Sequence, residues 1–337
     1  MMHLIMKLLA TLFFNTSLLV VLSMTAAHAK NGRNITQFKT TGAVHDIHLL
    51  KDKRHALLAA YGGGIQYVDI SKPHNPILIS NAKFSKNAES LTLNNAETLA
   101  FIANGAAGLD ILNITDPRKI TLVGRFNTPS YSFDVALSKD EKTVFLADND
   151  SGVIILDVSH PNQPIQIASI NSKSATATVQ LDHRGRNLFV ADQAGGVIIV
   201  DVSKPTKPKI ITRIPTPAHS QGVALSTNDK LLYVAENTGG LNIYDISHIK
   251  MPKLLGNFVS KNAFSVTLSA DNNTAYVADL YHGLHLVDVR NPRKPKQIQK
   301  IKLAGSSENI IINHNQNTAY VATDKEGMSV VSINLKN

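Results

Sequence analysis

His45, Glu89 and Glu308 are the side chains of this sequence whose types and spacing best suit shared chemistry. An imidazole and two carboxylates can together hold a divalent cation. Such an ion would polarise a carbonyl or activate a bound water, as in metal-assisted hydrolysis. The three stand at one equivalent position of seven aligned segments, which reads His45, Glu89, Phe133, Ala177, Gln221, Phe264 and Glu308. The next position reads Asp46, Ser90, Asp134, Thr178, Gly222, Ser265 and Asn309, small and mostly polar throughout. A position that changes character between segments suits a site, whereas scaffold positions repeat. The candidate ligand-binding residues are therefore His45, Asp46, Glu89, Asp134, Gln221, Glu308 and Asn309, and the candidate metal ligands Glu308, His45 and Glu89. A divalent cation is the one cofactor these residues suggest.

Other chemistry finds little support. His45 and His48, like His282 and His285, are three residues apart, and such residues on a strand face opposite sides, so neither pair chelates as a pair. There is no Gly-rich phosphate loop and no Gly-x-Ser-x-Gly nucleophile elbow. The chain has no cysteine, which excludes disulfides, a thiol nucleophile and thiolate-bound zinc.

The elements that must position these residues come from an internal repeat. A glycine followed by an apolar run and usually an aspartate recurs at Gly64, Gly108, Gly152, Gly196, Gly240, Gly283 and Gly327, with spacings of 44, 44, 44, 44, 43 and 44 residues. Each unit reads as four short strands, for example 133–137, 144–147, 153–156 and 164–168, separated by turn residues. Four strands in about 44 residues is the size of a propeller blade. The seventh unit stops after its third strand, and residues 34–40 align with the fourth strand of the unit before it. The expected fold is thus all-β, a seven-bladed propeller of four-stranded antiparallel blades, closed by the strand at 34–40 completing blade 7. Closure makes blades 7, 1 and 2 neighbours, which brings Glu308, His45 and Glu89 to one side of the channel mouth.

The third strands read Ile65-Gln-Tyr-Val-Asp69, Val153-Ile-Ile-Leu-Asp157, Val197-Ile-Ile-Val-Asp201 and Leu284-His-Leu-Val-Asp288. They resemble the LVIVD repeat, a bacterial and archaeal propeller repeat usually found outside the cytoplasm. The resemblance implies a propeller and, for most members, no assigned activity. Asp69, Asp157, Asp201, Asp245 and Asp288 precede turns, mostly ending in proline, and are expected to be structural acceptors of backbone N–H bonds. A second series after strand two, including Asp148, Asp192, Glu236 and Asp279, is also read as turn caps, with a tilt of the upper face toward negative charge.

Residues 1–29 read as a signal peptide: Lys7, an apolar run from Leu8 to Val21, and Ala27-His28-Ala29 as the cleavage triplet. The mature domain is then 30–337, with no transmembrane span, and periplasmic or secreted. The net charge of +9 is unevenly spread, with Lys204, Lys207, Lys250, Lys253, Arg293 and Lys296 among a basic edge on blades 4–6. That edge could meet an envelope protein or an anionic surface. Nucleic acid is not expected, because tryptophan is absent and aromatics do not interleave with the charges. A monomer is expected. The leading functional expectation is an exported, non-catalytic binding or scaffolding module of the cell envelope. The alternatives are a metal-assisted hydrolase or lactonase at the channel mouth, and small-ligand or carbohydrate binding over the funnel, with Tyr61, Phe133, Phe264 and Tyr281 as apolar contacts.

Overall fold

In a computed structural model, residues 26–28 and 34–333 are described. Seven antiparallel sheets follow one another along the chain. Blade 1 comprises Ala43–Leu49, His55–Tyr61, Gly64–Asp69 and Ile77–Ala82, numbered from the channel outward, and blades 2 to 6 repeat that order. Blade 7 takes three strands from one end of the chain, Asn309–Asn313, Thr318–Ala322 and Met328–Ser332, and its fourth from the other, Asn34–Phe38. The register places Ile35 opposite Val331 and Phe38 opposite Met328. Of the expected leader, only Ala26–His28 is described, as a three-residue strand beside Asn34–Phe38. The cleavage expected after Ala29 falls outside the described residues. Among the described residues no helix is long and apolar enough to cross a membrane.

Strands form here because β-branched and aromatic residues fill a pleated surface buried on both faces. Second and third strands are apolar almost throughout, as in Thr143–Ala147 and Val153–Asp157, since each sheet has a neighbour on either side. The core is correspondingly divided into seven clusters, each shared by two adjacent blades. A large side chain at the same place in each second strand reaches into the next blade: Leu57, Phe101, Phe145, Phe189, Tyr233, Tyr276 and Tyr320, all fully buried. The cluster between blades 7 and 1 joins Phe38, Tyr320, Met328 and Val330 to Val44, Ile47 and Leu58.

Turns hold this stack in register. Oδ1 of Asp69, Asp157, Asp201, Asp245 and Asp288 accepts the backbone N–H two residues on, at 2.8 to 3.0 Å. Asn113 makes the same bond, which explains why amide can replace acid there. Hydrogen bonding from Ser71, Ser159, Ser203, Ser247 and Arg290 respectively holds each of these carboxyls below the usual aspartate range. At Gly327 the backbone has φ +88°, and a Cβ would lie 2.3 Å from the Phe38 carbonyl oxygen. Glycine at that point is thus required for the ring to close.

Because each blade has no core of its own, the aromatic at the second strand should be the costliest to truncate. Phe145→Ala is expected to lower the unfolding free energy by about 3–5 kcal/mol, read from urea or thermal unfolding. A loss below about 1 kcal/mol would contradict the shared-cluster account.

Candidate functional site

The innermost strands surround a funnel of about 1080 Å³. Its floor is the ring of small polar residues read from the sequence, and much of that ring is committed to joining blades. Asp46 Oδ2 accepts the backbone N–H of Leu91 in blade 2 at 2.9 Å, and Asp134 Oδ2 that of Val179 in blade 4 at 2.9 Å. The Ser90 hydroxyl stands between the two carboxylates, 2.6 Å from Asp134 Oδ1 and 3.0 Å from Asp46 Oδ2. It has one hydrogen for two acceptors. Burial pushes Asp46 up to about 6 and Asp134 up to about 7. These two acids thus serve as inter-blade ties that carry a proton readily.

Above this floor the wall is divided. On blades 7, 1 and 2 the structure brings together Glu308, His45 and Glu89. His45 Nδ1 lies 2.6 Å from Glu89 Oε2, and its Nε2 lies 3.7 Å from Glu308 Oε2. Glu89 is also the acceptor of the Tyr131 hydroxyl. Tyr61 stacks on the His45 ring at 5.6 Å between centroids, 13° from parallel. Burial draws the His45 imidazole down, but the Glu89 hydrogen bond and the charges of Glu308, Glu89 and Asp324 outweigh it and raise its pKa. Burial pushes the Glu308 carboxyl up to about 7.

The other wall, on blades 3 to 6, presents Phe133, Ala177, Gln221 and Phe264, with Gln193 above them. Tyr131 and Phe133 pack with centroids 4.9 Å apart. Gln221 and Asn309 line the funnel, and among the described residues neither side-chain amide is hydrogen-bonded. Tyr281, expected as a contact, is 72% exposed and is not part of the lining. His48 lies deeper in the channel, where burial lowers it to about 4 and keeps it neutral.

Asp324 was not among the residues picked out by sequence. It follows Thr323, the blade-7 member of the turn-cap series, and its Oδ1 lies 3.9 Å from His45 Nε2. His45 with Glu308 and Asp324 is the described group whose donor atoms all lie within 4.8 Å of one another. Glu89 instead engages the far nitrogen of the ring. Asp324 takes φ +51° and exchanges backbone bonds with Val44, N–H to O at 3.0 Å and 3.2 Å, which fixes it beside His45. The signal available in sequence was only that a polar residue recurs after the cap, as at Asn149, Gln193 and Asn237, each also at positive φ.

Two expectations need correction. Asp148, Asp192, Glu236 and Asp279 are fully buried, so they do not make the upper surface acidic. Asp148 and Asp192 accept backbone N–H groups of the loop entering their own blade, at about 3 Å. His282 lies in the turn before its strand, so it and His285 approach the same carboxylate, Asp279, at 2.8 Å and 3.6 Å.

The model of the LVIVD repeat matches residues 96–128, 131–172, 184–216, 218–259 and 263–301, more than half of the chain. The chain belongs to the LVIVD-repeat family. A search of curated proteins finds no match. Among solved structures, the Pseudomonas aeruginosa periplasmic gluconolactonase is 15% identical, with a TM-score of 0.70 over 80% of this chain and 88% of that one. The β-propeller domain of Myceliophteria thermophila Cps50 (Swd1) is 12% identical, with a TM-score of 0.74 over 90% of this chain and 100% of that one. A Bacteroides fragilis protein provisionally named as a 6-phosphogluconolactonase is 11% identical, with a TM-score of 0.70 over 82% and 89%. At these identities the likeness is one of fold.

The floor of the funnel generates a pH test. An acid raised in the folded state stabilises the fold at pH below its unfolded value, about 4, and that contribution is lost as pH rises toward about 7. Asp134→Asn keeps an acceptor for Val179 without the proton. The difference in melting temperature between the original protein and this variant should therefore move in favour of the original as pH falls from about 8 to about 5. A pH-independent difference would refute the proton held at Asp134.

Proposed function

We propose that this protein is a non-catalytic binding module of the cell envelope, and that its funnel takes a small ligand with a polar or cationic end and an apolar body. The division of the funnel wall supports this reading. Acids and an imidazole occupy blades 7, 1 and 2, while Phe133, Ala177 and Phe264 face them from blades 3, 4 and 6. Ligand pockets combine an apolar lining with a few convergent polar groups in this way. The leader-like residues 1–29 and the resemblance in repeat type support export.

The test is a thermal-shift screen of amines, sugars and sugar lactones, followed by calorimetry. Phe133→Ala and Phe264→Ala should each weaken a hit roughly 10–100-fold, and gluconolactone should decay at the rate of buffer. Turnover of a lactone that vanishes in Glu308→Gln would replace this reading with the hydrolytic one. Ligands bound without any dependence on the two phenylalanines would also defeat it.

A second reading concerns the basic edge and has its own support. Outer strands 209–214, 253–258 and 296–301 of blades 4–6 carry Lys209, Arg213, Lys253, Lys296 and Lys300, whereas outer strands 77–82 and 165–170 carry no basic residue. Protection of sheet edges would call for charge on every blade. Ile210, Met251, Leu254 and Ile298 are exposed among these cations. The turns bearing Lys204, Lys207 and Lys250 lie at the strand ends away from the funnel mouth. This edge suits an anionic envelope surface. Co-sedimentation with phosphatidylglycerol vesicles should be seen at low salt and lost at high salt, and Lys253→Glu with Lys296→Glu should abolish it. Retention unaffected by salt or by those changes would rule the edge out.

A further inference from the structure

We propose that the funnel mouth is a divalent transition-metal site in which His45 Nε2, Glu308 and Asp324 are the ligands, with Glu89 and Tyr131 positioning His45 from behind. This deepens the binding reading and uses the same funnel, but its ligand set is a different one from that suggested by residue spacing alone.

The separations leave room for an ion between these three groups. Nε2 lies 3.7 Å from Glu308 and 3.9 Å from Asp324. Those distances exceed a hydrogen bond, which for N–H···O closes to about 2.7–3.2 Å. All three donor atoms fall within 4.8 Å of one another. Atoms that share one ion at about 2.0–2.4 Å stand this far apart.

The tautomer points the same way. Glu89 Oε2 lies 2.6 Å from Nδ1 and takes the hydrogen of that nitrogen, so the neutral form of the ring turns its Nε2 lone pair toward the two acids. A lone pair directed at two carboxylates is repulsive unless a proton or a metal ion lies between them, and a metal ion takes the place of that proton. Glu89 cannot rotate freely, because its other oxygen accepts the Tyr131 hydroxyl. A carboxylate behind the imidazole is the arrangement by which proteins orient a metal-bound histidine. Tyr61 stacked on the ring restricts its remaining freedom.

Rigid backbone holds the set. His45 is on the innermost strand of blade 1, Glu308 immediately precedes that of blade 7, and Asp324 is tied through its backbone to Val44. Three protein ligands leave coordination positions open toward the funnel, where a ligand or water can bind. One imidazole with two carboxylates favours zinc or manganese over magnesium or calcium, which prefer oxygen alone, and the absence of thiolate disfavours copper(I).

The experiment is calorimetric titration of the chelator-treated full protein with zinc and with manganese, alongside melting temperature. One equivalent should bind with a rise in melting temperature. Glu308→Gln and Asp324→Asn should each abolish stoichiometric binding. Glu89→Gln should weaken affinity about 10–100-fold while leaving the stoichiometry at one, which marks a positioning role. His183→Ala, at the exposed His183–Asp229 pair, should change nothing. Absence of binding by a folded, chelator-treated protein would overturn the site, as would binding indifferent to Glu308→Gln and Asp324→Asn. Funnel ligands bound by a protein that takes no metal would sink this inference alone and leave the binding reading standing.

Discussion

Apolar contact between neighbouring blades is the interaction on which the whole molecule depends. A four-stranded sheet of this size buries little by itself; its two faces are covered only by the sheets beside it. Seven clusters, each bridging two blades, are the consequence, and an open arc would leave two faces wet. Closure therefore carries a share of the stability of every blade. It is achieved where the two ends of the chain meet, through Phe38 in the core, Gly327 beneath its carbonyl, and Gln37 bonded to Thr323 and Ser329.

The candidate site is built at that same seam. Val44, paired with Asp324 across it, is the residue before His45, and Glu308 stands on the blade completed by the strand at 34–38. A backbone locked by ring closure can hold three donors at fixed separation without help from long loops. The acids that repeat around the ring have a different fate. Those after strand three cap turns, most of those after strand two are buried under the loops, and Asp46 and Asp134 tie blades across the floor. Acids left over for chemistry are the ones that do not repeat.

This distinction explains how far sequence could see. The 44-residue period exposed the blades, and the match between residues 34–40 and an outer strand exposed the closure, because both are properties of local pattern. Glu308, His45 and Glu89 were legible once closure placed their blades side by side. Asp324 was not, because its approach to His45 depends on a left-handed backbone and a bridge to Val44 across nearly the whole length of chain. Tyr131 was missed for a related reason: it lies in the loop into blade 3 and reaches back to Glu89 on blade 2. His282 was misjudged because alternation applies to strands, and the residue lies in a turn.

The segments that match the family model run from residue 96 to residue 301, so His45, Glu89, Glu308 and Asp324 all lie outside them. Family membership accounts for the scaffold: the anchor glycines, the turn aspartates and the apolar third strands of blades 2 to 6. The blades at the seam keep the same architecture while departing in the side chains they turn toward the funnel. A ring of near-identical units offers any ligand seven similar approaches, and asymmetry is needed to make one of them preferred. Here the asymmetry coincides with the joint between chain ends, where the repeat is already interrupted and substitution at the rim disturbs no internal pattern. Specific chemistry on this scaffold is therefore sought at the seam first, and the shared fold of gluconolactonases and a Swd1 propeller domain shows how little the scaffold itself constrains it.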